Sequence, residues 1–188
     1  KKLRNLRVTR LQNENKSKEL WFYELTWSEI TRDKKSILAF DNSGEFSFRR
    51  AKVNDMLKVF TNDTAPDPIL YLGESRELIL RSFAQAFCWM AKDNWNEIPG
   101  NGRHGCDFTN GIGDNFNQDE IVFISHSLGS RIVIDGLTRI VSMLERPNQK
   151  SILHTIDKTK REALQKKHVH IFLMSNQLPL LQLGRELP

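Results

Sequence analysis

One stretch limits the fold more than any other. Residues 121–137 read IVFISHSLGSRIVIDGL: a β-branched and aromatic run passes into Ser-His-Ser-Leu-Gly, and an amphipathic pattern starts with no loop between. A second apolar run, HVHIFLMSN at residues 168–176, follows after a polar, basic connection. Strand, helix and strand at this spacing make a βαβ unit, and such a unit requires a parallel pair of strands. The predicted strand is residues 120–125. The predicted helix is residues 130–145, with Val133, Leu137, Ile140, Val141 and Leu144 on its buried face and Pro147 past its end.

The serine at the corner is the chemical question. A strand that turns directly into a helix holds its corner residue in a strained conformation, with the side chain projecting from the sheet. Positions two before and two after the corner must be small; here they are Ser125 and Gly129, around Ser127. The next backbone N–H, on Leu128, opens the helix, where unpaired donors and the helix dipole favour negative charge. A serine oxygen beside such a donor suits acyl transfer, whose transition state develops an oxyanion.

Ser125-His126-Ser127-Leu128-Gly129 after IVFI resembles the nucleophile elbow of the α/β-hydrolase superfamily, above all its lipase and esterase branches, where Gly-His-Ser-Leu-Gly is the usual form. Ser125 stands where the family usually has glycine. The resemblance implies an α/β fold with a mostly parallel sheet flanked by helices. It implies one α/β-hydrolase-like domain over residues 1–188, lacking the family's C-terminal strands. It makes Ser127 the nucleophile and the Leu128 N–H one oxyanion donor. The second donor belongs after an earlier strand, which places it at Trp27 or Ser28, past the end of YELTW. Packing of an aromatic strand end into the core accounts for those two residues equally well. His126 matches the histidine that often precedes the nucleophile in lipases and is not assigned as the base.

In the family the catalytic acid and histidine follow the serine. Ser175, Asn176 and Gln177 stand where some lipases carry the acid, and none is a carboxylate. His154 lies in the helix-to-strand connection, and His168 and His170 open the last strand, at the wrong end of the sheet. The acid and the histidine are therefore unassigned. The chain does not begin with Met and is read as a piece of a longer or processed protein.

The first half reads as a strand at residues 6–12, a polar turn, and a central strand at residues 20–28. A turn at DNSGE precedes a short helix at residues 48–60, and TNDTAPDP breaks it. ILYLG is a short strand or a helix entry, and residues 74–93 are the clearest early helix. Asp63 and Asp67 are turn residues. Residues 94–119 form a long connection whose glycines neither follow a strand nor open a helix, so no nucleotide cradle and no cofactor is expected.

Composition closes off several classes. The 188 residues carry a net charge of +5, with basic residues at residues 1–10 and at 158–167. That charge reads as a solvated surface, with peripheral contact to an anionic membrane as its functional alternative; no nucleic-acid motif accompanies it. The i, i+2 pair His168 and His170 lacks a third ligand, so no metal is expected. Cys88 and Cys106 form no CxxC pair and no disulfide framework, which leans to a reducing compartment. No signal peptide or transmembrane segment is visible. The expected reaction is hydrolysis of an acyl ester, a lipid ester leading, through an acyl-serine intermediate. A thioesterase or acyltransferase is the alternative enzyme, and a non-catalytic hydrolase-like interaction module is the alternative from another class. Oligomeric state and compartment are not encoded in these features.

Overall fold

The computed structural model describes residues 1–3, 5–36, 56–58, 61–62, 65–108, 112–145 and 156–176. It is an α/β chain of small sheets and helices, which fall into two compact units. The first comprises Lys1–Leu25 and Leu80–Pro188, the second Thr26–Ile79. The expected helix at residues 48–60 lies mostly outside the described residues, as do Asp63 and His154.

In the first unit, β1 (Lys2–Leu3), β2 (Leu6–Gln12) and β3 (Glu19–Leu25) form an antiparallel sheet in that order. β2 and β3 are a hairpin in which Leu6 pairs with Leu25 and Gln12 with Glu19. Its turn is polar throughout. Lys16 takes φ 55°, and its N–H donates to the Asn13 carbonyl at 3.0 Å. Leu6 and Val8 face the core, while Leu11, Leu20 and Phe22 stay exposed. β3 ends three residues short of the predicted strand, because Ser28 already begins a helix.

That helix, α1 (Ser28–Ser36), belongs to the second unit with α2 (Pro66–Leu72) and the start of α3 (Ser75–Met90). The proline-bearing stretch also opens α2, since Pro66 sits in its first turn. Proline is tolerated there because a first-turn N–H has no intrahelical acceptor and the fixed φ is already helical. Lys35 pairs with Asp67, and Lys34 with Glu74 at 2.8 Å.

The rest of the first unit is the βαβ region. β4 (Ile121–His126) leads into α4 (Leu128–Glu145), then α5 (Lys158–Lys166) and β5 (Val169–Met174). β4 and β5 pair in parallel, from Ile121 with Val169 to His126 with Met174. The mostly parallel sheet expected from sequence is thus one parallel pair beside a separate antiparallel sheet among the described residues. β4 is also half-buried rather than buried. Ile121, Phe123 and Ser125 face inward, while Val122 and Ile124 are 42% and 67% exposed. The inner face is closed by aromatics of α3: the rings of Phe83 and Phe87 stack on Phe123 at 5.8 and 6.4 Å. Gly136 of α4 admits Phe83, since a Cβ there would lie 2.2 Å from its ring. On α4 the buried face is Leu128, Ile132, Val133, Ile140 and Leu144; Val141, assigned to it from sequence, is 44% exposed.

The connection before β4 is anchored to its surroundings. Contrary to the sequence expectation, Cys88 of α3 and Cys106 form a disulfide, with Cα atoms 5.9 Å apart. Spacing alone cannot reveal such a bond; what permits it is that two backbones separated by 18 residues approach within disulfide range. Gln85, one turn before Cys88, brackets the same point. Its amide donates to the Cys106 carbonyl at 3.0 Å, and its Oε1 accepts from the Cys106 N–H at 2.5 Å.

Candidate functional site

The candidate site is built at the carboxyl end of β4. The apolar face of β4 commits residues 121, 123 and 125 to the core, and the chain then turns within one residue. Ser127 is that residue. β4 ends at His126, α4 starts at Leu128, and Ser127 has φ 52°. Left-handed backbone costs a non-glycine residue roughly 1–2 kcal/mol, so the corner is strained as its position requires. Two hydrogen bonds hold it. The Ser127 N–H donates to the Met174 carbonyl on β5, and the Ser130 N–H donates to the Ser127 carbonyl, both at 3.0 Å. The first continues the parallel ladder one residue past β4, and the second starts the helix.

The small positions flanking the corner do meet. A Cβ on Gly129 would lie 3.7 Å from the Ser125 Cβ, an ordinary contact that leaves little room for anything larger. Ser125 itself is buried. Its hydroxyl lies 3.3 Å from the Ser130 hydroxyl and 3.4 Å from the Phe172 carbonyl. A buried hydroxyl is costly without partners, and here two partners lie within reach. Ser130 is fully buried and supplies the matching oxygen.

Leu128 buries its side chain and is the first residue of α4. Its N–H has no acceptor within the helix and faces the positive end of the helix dipole. Trp27 is the turn residue before α1, with its carbonyl accepting from the Ile30 N–H at 2.9 Å. Ser28 is exposed and is the first residue of α1, in the second unit. Its strand, β3, hydrogen-bonds to β2 among the described residues.

The histidines are distributed as their sequence positions suggest. His126 is exposed at the end of β4. His168 precedes β5 and His170 is its second residue, with Nε2 3.7 Å from a Glu120 carboxylate oxygen. At about 3.3 Å per residue, His170 lies roughly 13 Å along the strand from the Ser127 end. His104 Nε2 is 3.1 Å from the Asn101 carbonyl. The two described residues after β5, Ser175 and Asn176, are exposed and neither is a carboxylate.

Two features escaped the sequence reading. Arg131, one turn into α4, is buried and ion-paired with Asp135 at 2.9 Å. The i, i+4 spacing of Arg and Asp within an apolar helix was the available signal. The basic cluster of α5 is partly spent on its own chain. Lys160 donates to the Ile112 carbonyl at 2.8 Å, and Lys167 donates to the carbonyls of Phe116 and Asp119. Burial raises the Asp119 carboxyl above its ordinary value, against the opposing charge of Lys167. Burial also raises the Tyr23 phenol, whose hydroxyl donates to the Trp89 carbonyl at 3.1 Å.

Among the described residues, no group of three metal-ligating side chains occurs, and no helix is long and apolar enough to cross a membrane. No protein-family model, curated protein or solved structure matches the chain.

Proposed function

We propose that the chain is the elbow-bearing part of a serine hydrolase of the α/β-hydrolase type, acting on an acyl ester with Ser127 as nucleophile. One observation carries the reading: Ser127, a non-glycine residue at φ 52°, is the only residue between a parallel strand and the helix that follows it. That corner lifts a hydroxyl out of the sheet beside the first N–H of α4.

In this reading the Ser127 hydroxyl oxygen attacks the ester carbonyl carbon and its proton passes to a general base. The carbonyl oxygen becomes an oxyanion held by the Leu128 N–H. The tetrahedral centre collapses, the alkoxy group leaves as the protonated alcohol, and water then hydrolyses the acyl-serine. None of the described histidines is assigned as the base. A lipid ester is the leading substrate, on the lipase-like wording of the elbow; a thioester or acyl-transfer reaction uses the same nucleophile. Peripheral contact with an anionic membrane rests on the exposed lysines, among them Lys158 and Lys166 on α5.

One observation favours a second reading. β5 is followed by Ser175 and Asn176 rather than a carboxylate, and His168 and His170 stand at its opposite end, as in a hydrolase-like module that binds without turnover. Fluorophosphonate labelling of the full-length protein, read by peptide mass spectrometry, separates the two. The hydrolase reading expects covalent labelling at Ser127, abolished in Ser127→Ala with the thermal melt unchanged. A well-folded protein that stays unlabelled supports the binding module.

A further inference from the structure

Ser127 shares its end of the parallel pair with a second residue of the same kind. Three non-glycine residues have positive φ among those described: Lys16, Ser127 and Ser175. Lys16 is accounted for by the turn of the β2–β3 hairpin. Ser175, at φ 46°, is the turn residue that directly follows β5. The register pairs His126 with Met174, so the next residue on each strand is a left-handed serine. The two corners are also joined, because the Ser127 N–H donates to the carbonyl of Met174, the peptide unit that leads into Ser175.

Ser175 is exposed, and glycine or asparagine would take the same backbone with less strain. Strained residues persist where the surroundings over-determine them, and they concentrate at sites that bind or react. Neighbouring strands lie about 4.8 Å apart, so one small ester placed against Ser127 comes within reach of both corners.

We propose that Ser175 is a substrate-binding residue of the Ser127 site, its hydroxyl donating a hydrogen bond to the ester held against Ser127 from the β5 side. The proposal rests on the reading of Ser127 as nucleophile. It adds a contact supplied by the strand beside the elbow, and it assigns the site to substrates with an acceptor oxygen next to the scissile carbonyl.

The test uses the full-length protein and two probes: a fluorophosphonate, for the second-order labelling rate at Ser127, and p-nitrophenyl butyrate, for kcat and KM. An uncharged hydrogen bond corresponds to a loss of roughly three- to tenfold, expected in both rates for Ser175→Ala and Ser175→Gly. Ser175→Asn keeps a donor and tolerates left-handed backbone, so it recovers most of the rate. Thermal melts run beside these assays isolate backbone strain. If strain alone mattered, rates would follow the melting order and Ser175→Gly would match or exceed the wild type, which overturns the proposal. Equal rates in Ser175→Ala and wild type also overturn it while leaving the nucleophile reading intact. A wild type that is not labelled at Ser127 removes that reading, and this one with it.

Discussion

The Cys88–Cys106 bond offers a quantitative prediction. It closes a loop with a sequence separation of 18. Cross-linking a loop of that size lowers the entropy of the unfolded chain by about 11 cal/mol/K, or about 3 kcal/mol at 25 °C. For a chain of this length each kcal/mol moves Tm by roughly 2–4 °C, so loss of the bond should lower Tm by roughly 6–12 °C. The folded state should change little, because the two Gln85 hydrogen bonds still fix the Cys106 backbone to α3. The measurement is a set of thermal melts on the oxidised protein, the reduced protein, the Cys88→Ala and Cys106→Ala single variants, and the double variant. All four forms without the cross-link should melt within a few degrees of one another, since either cysteine removes the same constraint. Far-UV circular dichroism should be unchanged at 20 °C. A drop below 2 °C, or an intact mass showing two free thiols after air oxidation, would refute the reasoning. Adding Gln85→Leu to the double variant should then disorder the Cys106 segment, read as faster amide exchange over residues 103–108.

Further outcomes follow from individual contacts. Gly136→Ala adds a Cβ 2.2 Å from the Phe83 ring and should destabilise by about 1–3 kcal/mol through overpacking, outweighing the roughly 1 kcal/mol gain in helix propensity; chemical denaturation measures the sign. Ser127→Gly should melt above Ser127→Ala, because only glycine relieves the φ 52° backbone, whereas Ser142→Gly in the interior of α4 should cost about 0.5–1 kcal/mol. Asp119 has its carboxyl raised above the ordinary 3.8, mainly by burial. Its protonated form is therefore favoured by folding, and its contribution to stability falls as pH rises from 3.8 through the folded value. Asp119→Asn should raise Tm at pH 7 and leave it unchanged near pH 3, as melts at the two pH values will show. Lys167→Met removes the ammonium from the Phe116 and Asp119 carbonyls and from the Phe116 ring, 4.9 Å away. Amide exchange over residues 112–120 should accelerate while β4 stays protected.

The elements legible in the sequence are those whose signal is local. β2 runs from Leu6 to Gln12 as its alternation implies, and of the face read on α4, Val133, Ile140 and Leu144 are buried, Leu137 is half-buried and Val141 is exposed. The Ser127 corner was readable because the motif specifies its own geometry: a strand, one residue and a helix leave no other conformation. What was not readable depends on distant partners. A cysteine pair 18 residues apart looks the same reduced or bonded until α3 brings Cys88 to Cys106. The prolines of residues 66–68 are breakers or helix starters depending on which side the helix lies, and here it lies after them. The hairpin of β2 and β3 carried a signal that went unused, a polar turn between two apolar runs, and it takes β3 into an antiparallel sheet. Arg131 and Asp135 were hidden by the apolar residues around them, since a charge pair at i, i+4 is usually a surface feature.

The position of Ser127 bears on function because the usual structural reasons for strain do not apply to it. A serine before a helix ordinarily caps it from an extended backbone, with its side chain accepting from the helix N–H groups. Ser127 is left-handed instead, and the bond to the Ser130 N–H comes from its carbonyl. A capping role therefore does not select this geometry. Chain connectivity does not select it either, since a glycine would make the same turn with less strain. The bond to Met174 and the small pair Ser125 and Gly129 would serve a glycine corner equally well. What a serine adds at this corner is an oxygen, at the carboxyl end of a parallel strand, where open α/β sheets place their ligands. On the proposed reading the strain is the consequence of keeping that oxygen in that place, which is what would distinguish a nucleophile from a turn.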